Sequence, residues 1–176
     1  MRRRRTVVSL AAALSLALLL PMAGIASGAA SNRTVQVRDN CDRPTFNAVL
    51  GDGACVRRGG LTFEKFIERL VRKGTVASWR FAPGHLKLAE GGTITATNRG
   101  GEFHTFAEVA AFGGGCVPEL NAILGLTPVP ECADPSLFGT TGLPPGASLQ
   151  TATLSSGTHL FMCLIHPWQR TTVEVQ

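Results

Sequence analysis

The chain has little charge, and its positive excess is concentrated at one end. Charged residues make up 16% of its 176 residues, with 17 lysines and arginines against 12 aspartates and glutamates. Four of the basic residues form the run Arg2–Arg5, and without them 13 positive charges face 12 negative ones. The remainder of the chain therefore lacks the basic excess that is typical of nucleic-acid-binding proteins.

The chain also lacks a hydrophobic run of the length that a confident membrane span requires. The apolar stretch Val7–Leu20 is shorter than the roughly 20 residues of a spanning helix. It follows the arginine run and precedes the small residues at 26–30, an order typical of a secretory signal peptide. We therefore predict a signal at residues 1–29, cleaved after Gly28 or Ala29, with an uncleaved anchor as the alternative. The mature protein is expected to be exported, to the periplasm or beyond the cell, with no stable membrane span.

The chain has five cysteines, and all of them follow the predicted signal. Disulfide bonds are the natural state of cysteines in an oxidising compartment, but an odd number leaves one thiol for another role. Four cysteines allow three pairings, and the short spacings favour Cys41 with Cys55 and Cys116 with Cys132. Cys163 then remains unpaired.

Short stretches of alternating residues, separated by glycine and proline turns, predict an all-β fold. The 44% of apolar residues suffices for one packed core, and we find no internal repeat. We predict an antiparallel Greek-key β-sandwich with one short N-terminal helix. Residues 39–60 and 112–146 are expected to be loops. The strands are expected near residues 34–38, 79–81, 86–88, 93–98, 104–109, 149–154, 159–163 and 170–175.

The predicted helix follows Thr62, a residue type that favours helix N-caps. Apolar residues from Phe63 to Val71 recur at helical spacing, and Gly74 ends the pattern. The apolar face is expected to pack on the domain. Three aspartates precede this helix, Asp39, Asp42 and Asp52. Their spacing does not match a calcium-binding loop, so we interpret them as turn formers.

Two segments carry residues with metal-binding chemistry. The first places His104 directly after a glycine turn, and the second is Cys163-Leu-Ile-His166-Pro-Trp-Gln169, between the last two predicted strands. A loop that joins two strands can direct Cys163, His166 and Gln169 towards one point, with His104 arriving from a second loop. Two imidazoles and one thiolate, with a weaker axial ligand, are typical of a copper site that serves both Cu(II) and Cu(I).

The spacing of this second segment resembles the C-terminal copper loop of the cupredoxins, the small blue copper proteins that include plastocyanin and amicyanin. The amicyanin loop reads Cys-x-x-His-Pro-Phe-Met, and similar bacterial proteins end in Cys-x-x-His-Pro-Trp-Met-Arg. The upstream pattern of Gly91-Gly92-Thr93-Ile94, Asn98 and His104 is similar to the first half of the same domain. The resemblance covers residues 79–176 and leaves residues 30–78 as an N-terminal extension that contains the helix and one disulfide bond.

The resemblance implies a function and a set of ligands. It implies one type 1 copper held by His104, Cys163, His166 and Gln169, and single-electron transfer to and from a redox protein partner, with no catalytic residue. A monomer is expected. The family usually has methionine where this chain has Gln169, and an amide oxygen favours Cu(II) more than a thioether does, so a lower reduction potential is expected.

Other functions for the same residues remain open. Multicopper oxidases need several His-x-His pairs, and this chain has four histidines and no such pair, which argues against a copper cluster. A zinc site, a thiol enzyme that uses Cys163 with His104, and a copper storage or delivery protein are the alternatives. His85 and His159 do not fit the ligand pattern, and we expect them to be structural or exposed.

Overall fold

The computed structural model describes residues 31–176, so the predicted signal at residues 1–29 lies outside the described residues. Within this part the chain forms ten short strands and four short α-helices. The helices are α1 (Arg43–Leu50), α2 (Phe63–Lys73), α3 (Pro118–Leu124) and α4 (Ser136–Thr140). The strands are β1 (Asn32–Arg38), β2 (Arg80–Ala82), β3 (His85–Leu88), β4 (Thr93–Asn98), β5 (His104–Thr105), β6 (Ala107–Val109), β7 (Gly142–Leu143), β8 (Ser148–Gln150), β9 (Gly157–Met162) and β10 (Arg170–Val175).

Two four-stranded sheets pack face to face and enclose the main core. One sheet has the order β2-β1-β4-β8, and the other has the order β3-β10-β9-β6. The alternating residues of β1, β4 and β10 place Val35, Ile94 and Val173 in this core with no exposed surface. The predicted all-β sandwich is therefore confirmed. Strands β5 and β7 form a separate two-stranded ladder.

The sheets are mixed, which corrects the antiparallel arrangement predicted from the sequence. Strand β1 runs parallel to β4, and β3 runs parallel to β10. Long connections that carry helices and other strands separate the members of each parallel pair, as parallel pairing requires. Hairpin-like spacing in the sequence indicates antiparallel neighbours only, so these pairs were not foreseen.

Strand β1 belongs to the sandwich, although the sequence analysis assigned residues 30–78 to an extension. It lies between β2 and β4 and pairs with both. The helices α1 and α2 follow it and pack in a second apolar cluster that includes Phe46, Phe66, Leu70 and Trp79. The division at residue 78 therefore does not coincide with a boundary between packed units.

The helix content exceeds the single helix that we predicted. Helix α2 has the predicted ends: the Thr62 side chain accepts a hydrogen bond from the backbone N–H of Lys65, and Gly74 ends the helix in a left-handed conformation. Helix α1 lies in a segment predicted to be a loop, and Asp42 caps it rather than forming a turn. Helices α3 and α4 lie within the predicted loop 112–146.

The structure forms two disulfide bonds, Cys41–Cys55 and Cys116–Cys132. This is the local pairing that the sequence favoured. All five cysteines lie in the described part of the chain, and Cys163 is unpaired and buried. Between residues 31 and 176, no helix combines the length and the apolar character needed to traverse a bilayer.

Candidate metal centre

The sandwich brings the predicted ligands together from two loops at one end. His104 begins strand β5, which pairs with β7 opposite Leu143. Cys163 directly follows β9, and the residues from Cys163 to Gln169 form a tight loop before β10. The backbone N–H of Cys163 donates to the carbonyl of Gln169, and that of Gln169 donates to His166. These bonds fix the loop at both ends.

Three of the predicted ligands converge through the atoms that would bind a metal. The Sγ atom of Cys163 lies 3.8 Å from Nδ1 of His104 and 3.7 Å from Nδ1 of His166. The two Nδ1 atoms lie 3.2 Å apart. His104 and Cys163 have no exposed surface, and His166 is 4% exposed. The three side chains thus form a closed set of soft and borderline donors.

Backbone groups also point at the Cys163 sulfur. The N–H groups of Thr105 and His166 each lie 3.5 Å from Sγ and donate to it. The hydroxyl of Thr105 accepts a hydrogen bond from the N–H of Leu164 at 2.7 Å, which connects the two loops. A sulfur that accepts such bonds is stabilised as a thiolate, the form of cysteine that binds metals.

Asp39 holds the other nitrogen of His104. Its Oδ2 atom lies 2.9 Å from Nε2 of His104, and neither side chain is exposed. Asp39 also accepts hydrogen bonds from the backbone N–H groups of Cys41, Gly101 and Glu102. A carboxylate with this many donors is fixed in position, and it accepts a hydrogen bond from Nε2–H of His104. In the neutral ring this leaves Nδ1 as the free lone pair that faces Cys163.

A second buried carboxylate lies near His166. Oε2 of Glu102 accepts a hydrogen bond from Nε1 of Trp79 and lies 3.8 Å from Nε2 of His166. Glu102 is 6% exposed. Burial raises the pKa of Glu102, and the neighbouring His166 opposes that increase. Both histidines of the centre therefore have a carboxylate on the side away from the sulfur.

The protonation equilibria indicate a site that favours positive charge between its donors. Burial alone would lower the pKa of His104, but the hydrogen bonds to Asp39 and Cys163 outweigh it and raise the pKa to about 10. Burial would raise the pKa of Asp39, yet the donors from His104, Gly101 and Glu102 lower it to about 2. The pKa of Cys163 is lowered well below its usual value because the two histidines outweigh burial. A metal cation would take the place of the proton at Nδ1 of His104.

Gln169 is completely buried in the same loop. Its Nε2 donates to the carbonyl of Arg38 at 2.9 Å. Because a carbonyl only accepts, Nε2 must face it, and this fixes the orientation of the amide. Oε1 of Gln169 is buried and has no hydrogen-bond partner among the described residues. A buried amide oxygen without a partner costs free energy unless another group satisfies it, and a metal ion would do so.

Aromatic side chains seal the centre against water. Phe66 of helix α2 packs edge-on against the His166 ring with centroids 6.5 Å apart, and Trp168 does so at 5.4 Å. Phe66 and Trp168 also pack against each other, with ring centroids 6.0 Å apart. Helix α2 therefore covers the His166 side of the loop, and a dry apolar shell of this kind tunes a metal's potential.

The remaining histidines lie elsewhere, as the sequence analysis expected. His85 pairs with Glu174, and His159 pairs with Glu108. A second group, Asp39, Glu102 and His104, has its polar atoms equally close together. Its carboxylates already accept hydrogen bonds from His104, Trp79 and the backbone, so we interpret it as the support of the first group.

Asp39 and Glu102 lie against the candidate centre, and the sequence analysis did not place them there. Asp39 was interpreted as a turn former, and it is instead a buried partner of His104. No periodicity links positions 65 residues apart. One signal was present: the glycine pair before His104. A Cβ atom on Gly100 would collide with the Asp39 carboxylate, and one on Gly101 would lie 2.9 Å from Sγ of Cys41. Two adjacent glycines thus indicated a closely approaching group.

No protein-family model and no curated protein matches the chain. Among solved structures, it is similar to the novel purple cupredoxin from Nitrosopumilus maritimus, with 17% identity over 82% of this chain and 99% of that one, and a TM-score of 0.45. A mutant of amicyanin in its reduced Cu(I) form is 20% identical over 55% of this chain and 73% of that one, with a TM-score of 0.36. Oxidised plastocyanin from Dryopteris crassirhizoma is 17% identical over 56% of this chain and 89% of that one, with a TM-score of 0.35.

Proposed function

We propose that this protein binds a single copper ion of type 1 through His104, Cys163, His166 and Gln169 and transfers single electrons. When bound, the copper would supply reversible one-electron chemistry between Cu(II) and Cu(I). The chain would supply a fixed set of four donors, of which the thiolate favours Cu(I) and the amide oxygen favours Cu(II).

One observation carries this proposal: the convergence of two Nδ1 atoms and one Sγ atom in a closed pocket. The three atoms lie 3.2 to 3.8 Å apart, and none of the three residues is more than 4% exposed, which leaves little room for a substrate. Hydrogen bonds hold both Asp39 against His104 and the loop around Cys163, so little would rearrange when the charge changes. Rigid donors with a small reorganisation suit electron transfer better than catalysis.

The alternatives predict different properties of the same site. A thiol enzyme would need a reachable sulfur, whereas Cys163 has no exposed surface. A delivery protein would need ligands that a recipient can reach, whereas Phe66 and Trp168 cover His166. Zinc would accept the same donors, so the choice between zinc and copper depends on measurement.

We also propose that the protein acts after export, in the periplasm or outside the cell, as a monomer that meets a redox protein partner. The two disulfide bonds fit an oxidising compartment. N-terminal sequencing of the protein recovered from the host's exported fraction tests the first point, with Ala29 or Ala30 expected as the first residue. An intact Met1 would contradict cleavage.

The copper proposal is tested by adding Cu(II) to the purified mature protein and recording its visible spectrum. An intense thiolate-to-copper band is expected at one copper per chain, and it should disappear in Cys163→Ser. His159→Gln, outside the centre, is the matched control and should retain the band. A colourless protein that prefers Zn(II) would overturn the proposal.

A further inference from the structure

A cavity of about 440 Å³ lies at the end of the β2-β1-β4-β8 sheet where β1 ends and β2 begins, next to Asp39. Its lining contains four arginines from four separate segments, together with the neutral residues Gln36, Asn40 and Ser78. The four are Arg38, Arg57, Arg80 and Arg99. Its volume falls in the range of about 300–1,000 Å³ that is usual for small-ligand sites.

Three of these arginines follow from the strand register. Arg38 at the end of β1 lies directly opposite Arg80 of β2. Arg99 follows β4, and its backbone N–H bonds to the carbonyl of Val37 in β1. The neighbouring strands β2, β1 and β4 thus place three arginines in one row across the end of the sheet. Like charges opposite each other on adjacent strands destabilise a sheet.

No acidic side chain among the described residues forms an ion pair with these arginines. Asp39 lines the same cavity, but its side chain is fully buried and engaged with His104 and the backbone. The row therefore holds positive charge that its own surroundings leave uncompensated.

Two of the guanidinium groups are held in place by neutral acceptors. Arg38 donates from Nε and Nη2 to Oε1 of Gln36, and Arg80 donates from Nη1 to the carbonyl of Ala77 at 3.1 Å. These bonds use part of each fork and leave other N–H groups free. Arginine groups fixed in this way are preorganised for oxygen atoms that carry negative charge.

We propose that this arginine cavity binds a small multivalent oxyanion, one that carries two or more phosphate or carboxylate groups. The concave shape, with four arginines in one lining, favours a small ligand over a flat protein surface. Asp39 lies both in this lining and against His104, but pyrophosphate binding is measured on the metal-free protein, so the test does not depend on the copper proposal. Binding would offset the like-charge repulsion, and the protein should therefore become more stable when the anion is present.

The proposal is tested by titrating the purified mature protein with inorganic pyrophosphate at low ionic strength, using calorimetry and thermal unfolding. The variant Arg80→Gln/Arg99→Gln removes two cavity charges. Arg43→Gln/Arg72→Gln removes two exposed arginines outside the cavity and is the matched control. We expect the cavity variant to weaken pyrophosphate binding at least about tenfold, and the control to change it less than about twofold.

Thermal unfolding without the anion supplies a second readout. The cavity variant should unfold at a higher temperature than the wild type at low salt, because repulsion in the row is relieved, whereas the control should not. Absence of pyrophosphate binding by the wild type would overturn the proposal, as would equal binding by all three proteins. A glutamate-rich peptide that binds where pyrophosphate does not would also overturn it, and would identify the row as a protein-docking surface.

Discussion

The carboxylate of Asp39 lies 2.9 Å from Nε2 of His104, and neither side chain is exposed to solvent. Asp39, the residue directly after strand β1, thereby orients the imidazole of His104 at the start of strand β5. The negative charge lies on the far side of the ring from the cysteine sulfur. It would raise the basicity of Nδ1 and favour the higher charge of Cu(II).

Asp39→Asn should therefore weaken the binding of Cu(II) and raise the reduction potential. Loss of such an outer partner typically lowers metal affinity by about 10- to 100-fold. A competition titration against a chelator measures the affinity, and protein voltammetry measures the potential. Asp52→Asn, an exposed change of the same kind, should alter neither. Wild-type affinity and potential in Asp39→Asn would contradict the assigned role.

The same pair predicts a pH dependence in the metal-free protein. The pKa of Asp39 is lowered to about 2, so its contribution to stability is present above pH 3.8 and is lost as the pH falls towards 2. The pKa of His104 is raised to about 10, so its contribution is present below pH 6.5 and is lost as the pH rises towards 10.

The difference in free energy of unfolding between the wild type and Asp39→Asn should consequently be largest between about pH 4 and pH 6.5. It should shrink on both sides of that interval. Urea denaturation across the pH range measures it. A difference that stays constant from pH 2 to pH 10 would show that the two groups do not interact in solution.

Gln169→Met should raise the reduction potential of the copper-loaded protein. Methionine offers a softer thioether in place of an amide oxygen and stabilises Cu(I) relative to Cu(II). Voltammetry measures the shift, and the energy of the thiolate-to-copper band should change with it. Gln150→Met, an exposed substitution on β8, is the control. An unchanged potential in Gln169→Met would remove Gln169 from the ligand set.

Phe66→Ala should open the side of the centre that helix α2 covers. The phenylalanine contacts His166, Trp168 and Trp79, and a truncation of this kind typically costs about 3–5 kcal/mol. We expect lower resistance to urea and faster removal of copper by a chelator. Val71→Ala lies on the same helix with 65% of its surface exposed and should have little effect.

If chelator removal proves as slow in Phe66→Ala as in the wild type, the phenylalanine supports the fold without protecting the metal. Comparing the removal rate at matched fractions of folded protein separates these two roles.

The sequence was most informative where chemistry and short spacing coincide. Cys163 and His166 lie within one loop, so their convergence could be predicted from local geometry. Ligation by Gln169, in the same loop, stays a prediction. Helix α2 was also predictable, since Thr62 and Gly74 mark its ends within a single stretch. In both cases the relevant residues are close along the chain.

Long-range pairing was what the sequence did not reveal. Asp39 reaches His104 only because β1 inserts between β2 and β4, and parallel insertion leaves no turn motif to detect. Helix α1 is a different case: Asp42 precedes Pro44 near the start of the helix, a local signal that a cap-based analysis would have found.

The bond from Gln169 to the Arg38 carbonyl joins residues 131 positions apart. This bond connects the end of the first described strand with the loop that precedes the last one. Contacts of such high sequence separation form late, because much chain entropy is lost before they become favourable. Uptake of the proposed metal ion should accordingly report that folding is finished, and a stalled or truncated chain would remain without the ion.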